Sequence, residues 1–340
     1  VGGVPRAGAG PFPEALAGGV GGAFPPAADG GWGPPVGRGA RRGDLTMNDR
    51  PAWPIDGRDW PNREHSRFLR AGGIDWHVQM AGQGPVVLLL HGTAAATHSW
   101  RDVLPLLARD ARVVAPDLPG HGFSGMPGDP GLTLPGMARL VDALLGTLGV
   151  KPDLVVGHSA GAAVALRMAL DGRIAPREVV SLNGALTPLG EEHAAFFTRA
   201  ARLLVGLPFV PKLFAWRAAN REVAERLLRD TGSTIDARGV DLYARLFRRA
   251  GHLSGALRMM ANWDLRPLLR DLPRLKPDLL LVVGTNDRTI APAKAQRVRD
   301  ILPRARIETL PRLGHLAHEE RPGIVADLLL RELHAEMAET

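Results

Sequence analysis

Residues 153–170 read DLVVGHSAGAAVALRMAL, an apolar run that breaks onto a serine and continues in small, helix-forming residues. Leu154, Val155 and Val156 suit a buried strand, and Ala160, Ala162, Ala163, Ala165 and Leu166 suit a helix. A strand-to-helix turn therefore falls on Gly157-His158-Ser159-Ala160-Gly161. In that context the G-x-S-x-G pattern puts Ser159 on the tip of a turn with strained backbone angles, and its flanking glycines let other chain approach closely. The helix that follows turns its positive end toward the serine, where an oxyanion would form. Taken alone the pentapeptide is common, and Ser159 could do no more than open a helix.

The flanking chain repeats the strand-then-helix rhythm. SRFLRAGG and IDWHVQMAG, divided at Gly72-Gly73, suit two antiparallel strands joined by a tight turn. PVVLLLHGT is continuously apolar, as a strand buried on both faces is, and a helix is expected from about Thr97. RVVAPDLPGHGFSG is a further strand ending in a Pro- and Gly-rich loop, LTLPGMARLVDALLGTLG is an amphipathic helix, and REVVSLNGA is another short strand. After residue 270 come the strand DLLLVVGTND, the helix APAKAQRVRDIL, the strand ARIETLPRLGH and a closing helix. This alternation predicts an α/β fold with a mostly parallel sheet of eight strands and helices on both faces. Ligands bind such sheets at the carboxyl ends of the strands, where His91, Asp117, Ser159 and Asn183 fall.

Between residues 185 and 270 the rhythm stops, and a run of helices without a strand reads as an inserted cap. The core is thereby divided into residues 63–184 and 271–340; a separate helical domain is the alternative, at the cost of splitting one sheet between two domains. The first fifty residues hold 14 Gly and 7 Pro, a composition that cannot bury enough apolar surface to offset chain entropy, so residues 1–50 are expected to be a disordered leader. The composition changes abruptly at Met47, which suggests that translation starts there and that Val1 to Thr46 is leader sequence.

Composition narrows the function classes. The chain has 340 residues and no cysteine, which excludes disulfides and thiolate metal ligands, and no run approaches the ~18 apolar residues of a spanning helix. A net charge of +7 raises the question of nucleic acid, but only one Tyr is present and no basic-aromatic strand accompanies it. The excess lies in residues 185–270, with 14 Lys and Arg against 8 Asp and Glu.

A serine hydroxyl needs a base within hydrogen-bond reach, and the base needs a partner to fix its tautomer. Asp287 follows the strand LLLVVGTN and His315 follows RIETLPRLG, giving the chain order Ser, Asp, His that this architecture requires. His318 rivals His315 as base, although Gly314 marks His315 as still in the loop. Asp264 rivals Asp287, which could also merely cap the helix near Pro292. His158 reads as a packing or hydrogen-bonding residue, and His121 and Ser124 as structural.

GHSAG, HGT after a buried strand, DLPGHGFSG, VGTND and LGHLAHEERP together resemble the α/β-hydrolase family over residues 63–335. The resemblance implies Ser159 as nucleophile, His315 as general base and then acid, Asp287 as the group orienting His315, and the backbone N–H groups of Thr93 and Ala160 as oxyanion hole, such a donor being worth about 3 to 4 kcal/mol. WPNREHSRFLRAGGIDWHVQMAG, LLLHGTAAATHSWRDVLPLLA and LNGALTPLG resemble more narrowly the subgroup described as magnesium chelatase accessory proteins of bacteriochlorophyll biosynthesis. That likeness implies a pathway, with magnesium chelatase as a partner and a location in the cytoplasm or at the surface of the photosynthetic membrane. Ester or related acyl hydrolysis is the reaction expected, and the same triad also serves cofactor-free peroxidases and carbon–carbon bond hydrolases. Dehalogenase or epoxide hydrolase chemistry would want Asp in place of Ser159. A non-catalytic pigment-precursor binder on the same fold is the alternative. Neither a cofactor nor a bound metal is expected.

The cap should select the substrate. Phe196, Phe197, Phe209, Phe214, Trp216, Tyr243, Phe247, Met259, Met260 and Trp263 supply apolar surface, and Arg245, Arg248 and Arg249 could meet an anion. Trp216, Tyr243, Phe247, Arg245 and Arg248 are the candidate binding residues, for a flat apolar ligand with carboxylates such as a porphyrin-type precursor. The competing reading makes the aromatics cap core and the arginines a solvated face.

Overall fold

The computed structural model describes residues 49–188, 213, 215–217 and 220–335. Residues 1–48 of the expected leader and the cap residues Phe196, Phe197, Phe209 and Phe214 lie outside these residues.

Eight strands form one sheet: β1 (Ser66–Ala71), β2 (Ile74–Ala81), β3 (Val86–Leu90), β4 (Arg112–Pro116), β5 (Leu154–His158), β6 (Glu178–Leu182), β7 (Asp278–Gly284) and β8 (Arg306–Leu310). Their order is β1-β2-β4-β3-β5-β6-β7-β8. Pairing is parallel throughout from β4 to β8, and β2 alone runs against its neighbours β1 and β4. Gly72 and Gly73, both at positive φ, make the two-residue turn that the right-handed twist of a β1–β2 hairpin favours.

The continuous apolar runs are explained by the period of two along a strand. Leu88 and Leu90 of β3, Val155 of β5, and Leu279 and Leu281 of β7 enter one core, where they pack against the helices Leu134–Leu148 and Ala160–Leu170. Val87 and Leu89, Leu154 and Val156, and Leu280 and Val282 enter the other, against Val103–Leu107 and Pro322–His334. Thr133 caps the helix Leu134–Leu148 by accepting from Gly136 N, and Gly149 ends it in the left-handed region.

The helix expected from Thr97 differs in detail. A 3₁₀ turn over Thr97–Trp100, whose first N–H donates to Asp117 Oδ1 (2.7 Å), precedes a separate short helix, Val103–Leu107, where Pro105 has no N–H with which to continue an α-helical ladder back to Arg101. Between β6 and β7 the described residues form the helices Arg221–Asp230, Ala237–Phe247, Ala250–Asn262 and Arg266–Asp271, with no strand among them. Among the described residues no helix is long and apolar enough to cross a membrane.

Candidate active site

Ser159 sits between β5 and the helix Ala160–Leu170 at φ 50° and ψ −114°, a conformation a β-carbon disfavours. It is tied there by its N–H to Leu182 O (3.0 Å) and by its carbonyl, which accepts from Ala185 N (3.0 Å). The glycines explain themselves by contact: a β-carbon on Gly157 would lie 2.3 Å from Ala162 N, and one on Gly161 would lie 2.2 Å from Leu90 O. Gly92 backs onto the same turn, since a β-carbon there would lie 3.1 Å from Ser159 Cβ and 2.7 Å from His158 Nδ1. The Thr93 position therefore adjoins the serine, in a turn where Ala94 also has positive φ (60°). Ala160 is the first residue of the helix, so its N–H has no partner one turn back.

His315 Nδ1 lies 2.8 Å from Asp287 Oδ2. The same oxygen accepts from Asn183 Nδ2 (2.8 Å), and Oδ1 accepts the Thr289 and Ile290 N–H groups (2.8 Å each). Four donors thus hold Asp287, and the last two form a local turn rather than a helix cap. His315 lies in the loop after β8, before the short helix Ala317–Glu320 that contains His318. His318 is fully buried, lies tilted against the rings of Trp100 and His158 with centroids 4.5 Å apart, and has no hydrogen-bond partner among the described residues. His158 Nε2 donates to the His315 carbonyl (2.9 Å). Burial drives the pKa of both His158 and His318 well below the usual histidine range, so neither is charged near neutral pH. Asp264 pairs with Arg266 in the insertion.

A second carboxylate organises the neighbouring loops. Asp117 is fully buried; His77 Nδ1 (2.8 Å), Thr97 N (2.7 Å) and Phe123 N (2.9 Å) all reach it. Burial works against its ionisation, yet His77, His91 and the Phe123 N–H hold its pKa well below the carboxylate range. His77 Nε2 also meets Ser66 Oγ at 3.0 Å, a Ser-His-Asp hydrogen-bond chain that no motif in the sequence marks. The rings of Trp53, Phe68 and Phe123 enclose His77, and Ser66 lies in regular register opposite Gln79 rather than on a strained turn, so this chain joins strands and loops. His91 accepts from Leu118 N through Nε2 (2.8 Å) and donates from Nδ1 to Gly92 O (2.8 Å), linking the loops after β3 and β4. His121 and Ser124 are buried in the second of these loops, with Ser124 Oγ accepting from His77 N (3.0 Å).

The candidate binding residues separate. Tyr243 and Phe247 are buried in one cluster with Ala95 and Leu316, and the Tyr243 hydroxyl donates to Glu319 Oε1 (2.8 Å). Trp216 is 74% exposed. Arg245 binds both oxygens of Asp59 (2.6 and 2.9 Å), and Arg249 binds Asp49 (2.9 Å) and Asp56 (2.7 Å); these pairs strap the insertion to the chain before β1. Arg248 is exposed. Glu319, one turn beyond His315, is wholly buried against Arg101, which also pairs with Asp236 (3.0 Å) and Asp102 (3.2 Å). Burial pushes Glu319 up to about 7 despite Arg101, whereas the three carboxylates around Arg101 outweigh its burial and raise its pKa. Among the described residues no three His, Asp or Glu side chains group as metal ligands.

A mixed, mostly parallel sheet with a serine on a strained turn after the fifth strand defines a class, and the family described as the alpha/beta hydrolase family matches residues 87–328: the chain belongs to it. Within that family it is 42% identical over 265 residues to the magnesium-chelatase 30 kDa subunit of Rhodobacter capsulatus, covering 77% of this chain and 92% of that one. Two solved structures share the fold. A putative lipase from Acinetobacter baumannii AYE has a TM-score of 0.67 and 20% identity, over 81% of this chain and 92% of its own. A serine hydrolase involved in carbazole degradation has a TM-score of 0.64 and 21% identity, over 78% and 96%.

Proposed function

We propose that this protein is a serine hydrolase that cleaves an ester or related acyl bond, and that it works alongside magnesium chelatase in pigment synthesis. Ser159 attacks the acyl carbon, His315 Nε2 takes its proton and later returns it to the leaving group, and Asp287 holds His315 with Nδ1 protonated. Thr93 and Ala160 N–H groups receive the oxyanion. The observations that support this reading are the strained Ser159 at a helix start and, bonded through its carbonyl to the adjacent His158, a His315 oriented by a carboxylate with four donors. Residues 185–270 act as a cap over the strand ends and select the substrate, for which an apolar, carboxylated pigment precursor is the class that the relative's name favours. The work is done in the cytoplasm or at the membrane surface.

The same relative favours a second reading, a non-catalytic chelatase-assisting binder of such a precursor. A fluorophosphonate probe separates the two. Adduct at Ser159, mapped by mass spectrometry and absent in Ser159→Ala, is the expected result; a folded protein that takes no adduct would transfer the weight to the binder.

A further inference from the structure

We propose that residues 231–234, the link between two helices of the insertion, are a positioning element for the His315–Asp287 pair; this rests on the reading of Ser159, His315 and Asp287 as a triad. The link follows the helix Arg221–Asp230 and precedes Ala237–Phe247. It lies between the loop that carries the acid and the loop that carries the base. The Thr231 carbonyl accepts from both: from Arg288 N (3.1 Å), next to Asp287, and from His315 N itself (3.4 Å). Ser233 is 2% exposed, and its Oγ accepts from Leu316 N (2.8 Å), the residue after the base. Glu320 closes the ring, taking Gly314 N on Oε1 (2.7 Å) and Thr234 N on Oε2 (3.3 Å).

The three backbones are in direct contact. A β-carbon on Gly232, which has φ +86°, would lie 1.9 Å from Asn286 O, and one on Gly314 would lie 2.3 Å from Gly232 O and 2.5 Å from Ser233 Oγ. Both glycines are needed for this approach. Apolar packing continues the joint, with Leu316 in the same cluster as Ala224, Leu228 and Tyr243 of the insertion. Among the described residues no hydrogen bond of the link reaches Ser159; its bonds fix where the base stands relative to the acid. Lifting these two helices off the core would remove an acceptor from His315 N and another from Leu316 N.

Ser233→Ala in the full chain tests this, with Ser233→Thr as the conservative replacement and Thr147→Ala, on a distant exposed helix position, as control. Three quantities are measured: the second-order rate of fluorophosphonate labelling at Ser159, the low-field proton resonance of His315 Nδ1–H (identified by its loss in His315→Gln), and the thermal midpoint. Ser233→Ala is expected to slow labelling roughly tenfold, since small displacements of a catalytic group cost that much or more, and to shift or broaden the resonance. Ser233→Thr should restore most of both, and Thr147→Ala should change neither. Wild-type labelling and an unchanged resonance in Ser233→Ala would overturn the inference while leaving the hydrolase reading intact. A resonance that responds to Ser233→Ala in a protein whose wild type takes no adduct would leave the positioning role and remove the hydrolase reading. Glu320→Ala, at the half-exposed edge of the same loop, is read in the same way and decides the matter if Ser233→Ala does not fold.

Discussion

Replacing Glu319 by glutamine should reshape the pH dependence of stability. The carboxyl titrates in an unfolded chain near its ordinary 4.5 and in the fold at about 7, because it is wholly enclosed and burial outweighs the attraction of Arg101. A raised acid favours the protonated fold: its contribution is fully present below pH 4.5 and is lost as pH rises from there through 7. The gap between the two values corresponds to ~3 kcal/mol. A glutamine side chain cannot ionise, so the variant lacks this loss. It also offers an amide where Arg101 and the Tyr243 hydroxyl both donate, which makes it the less stable protein at pH 5. Urea unfolding of both proteins between pH 5 and pH 8 measures the difference directly. Its size should shrink by roughly 2 to 3 kcal/mol across that window, to the advantage of Glu319→Gln at the alkaline end. A difference that stays constant, or grows with pH, would refute the argument and mean that Arg101 stabilises the carboxylate by more than burial costs.

Asp117→Asn should lower stability by about 3 kcal/mol near neutral pH, since it weakens three hydrogen bonds to a buried carboxylate. The deficit should hold down to about pH 4 and narrow below it, because the depressed pKa of Asp117 gives a contribution that is present above the ordinary carboxylate pKa of 3.8 and is lost only as pH falls beneath it; paired urea titrations at pH 7 and about pH 2.5 show it. Gly161→Ala should cost about 3 kcal/mol in chemical denaturation, its new methyl lying 2.2 Å from Leu90 O. Gly146→Ala, in a helix with nothing within 4 Å of the added carbon, should instead stabilise by about 0.7 kcal/mol.

What the sequence discloses follows from short-range rules. Strands such as Val86–Leu90 announce themselves because both faces are apolar, and Gly72-Gly73, Thr133 and Gly149 act on their immediate neighbours. The G-x-S-x-G turn is legible for the same reason, and the order of Ser159, Asp287 and His315 follows the order of the strand ends. Contacts between distant side chains leave no periodic trace. Nothing around Asn183 indicates that its amide will hold Asp287, 104 positions on, and nothing marks Glu319 as the partner of Arg101, 218 positions back. Asp117 can be placed at the correct edge of the sheet from its strand alone, but its work as an acceptor for two loops emerges only once they are folded together. Arg245 shows the converse limit: a cationic side chain in the insertion reads as an anion site until Asp59, from before the first strand, is seen to occupy it.

The wedge of residues 231–234 between the last two loops also bears on the order in which the chain folds. Its contacts join Thr231 to His315 and Thr234 to Glu320, far apart in sequence, so their closure entropy is met only when the eighth strand has docked. A ribosome-bound chain that has emerged only as far as the loop after β7 already contains Ser159 and Asp287, but has neither His315 nor the loop that seats it. If Ser159 is the proposed nucleophile, its reactivity is a late property of folding that waits for the C-terminal strand, and partly made chains stay chemically silent.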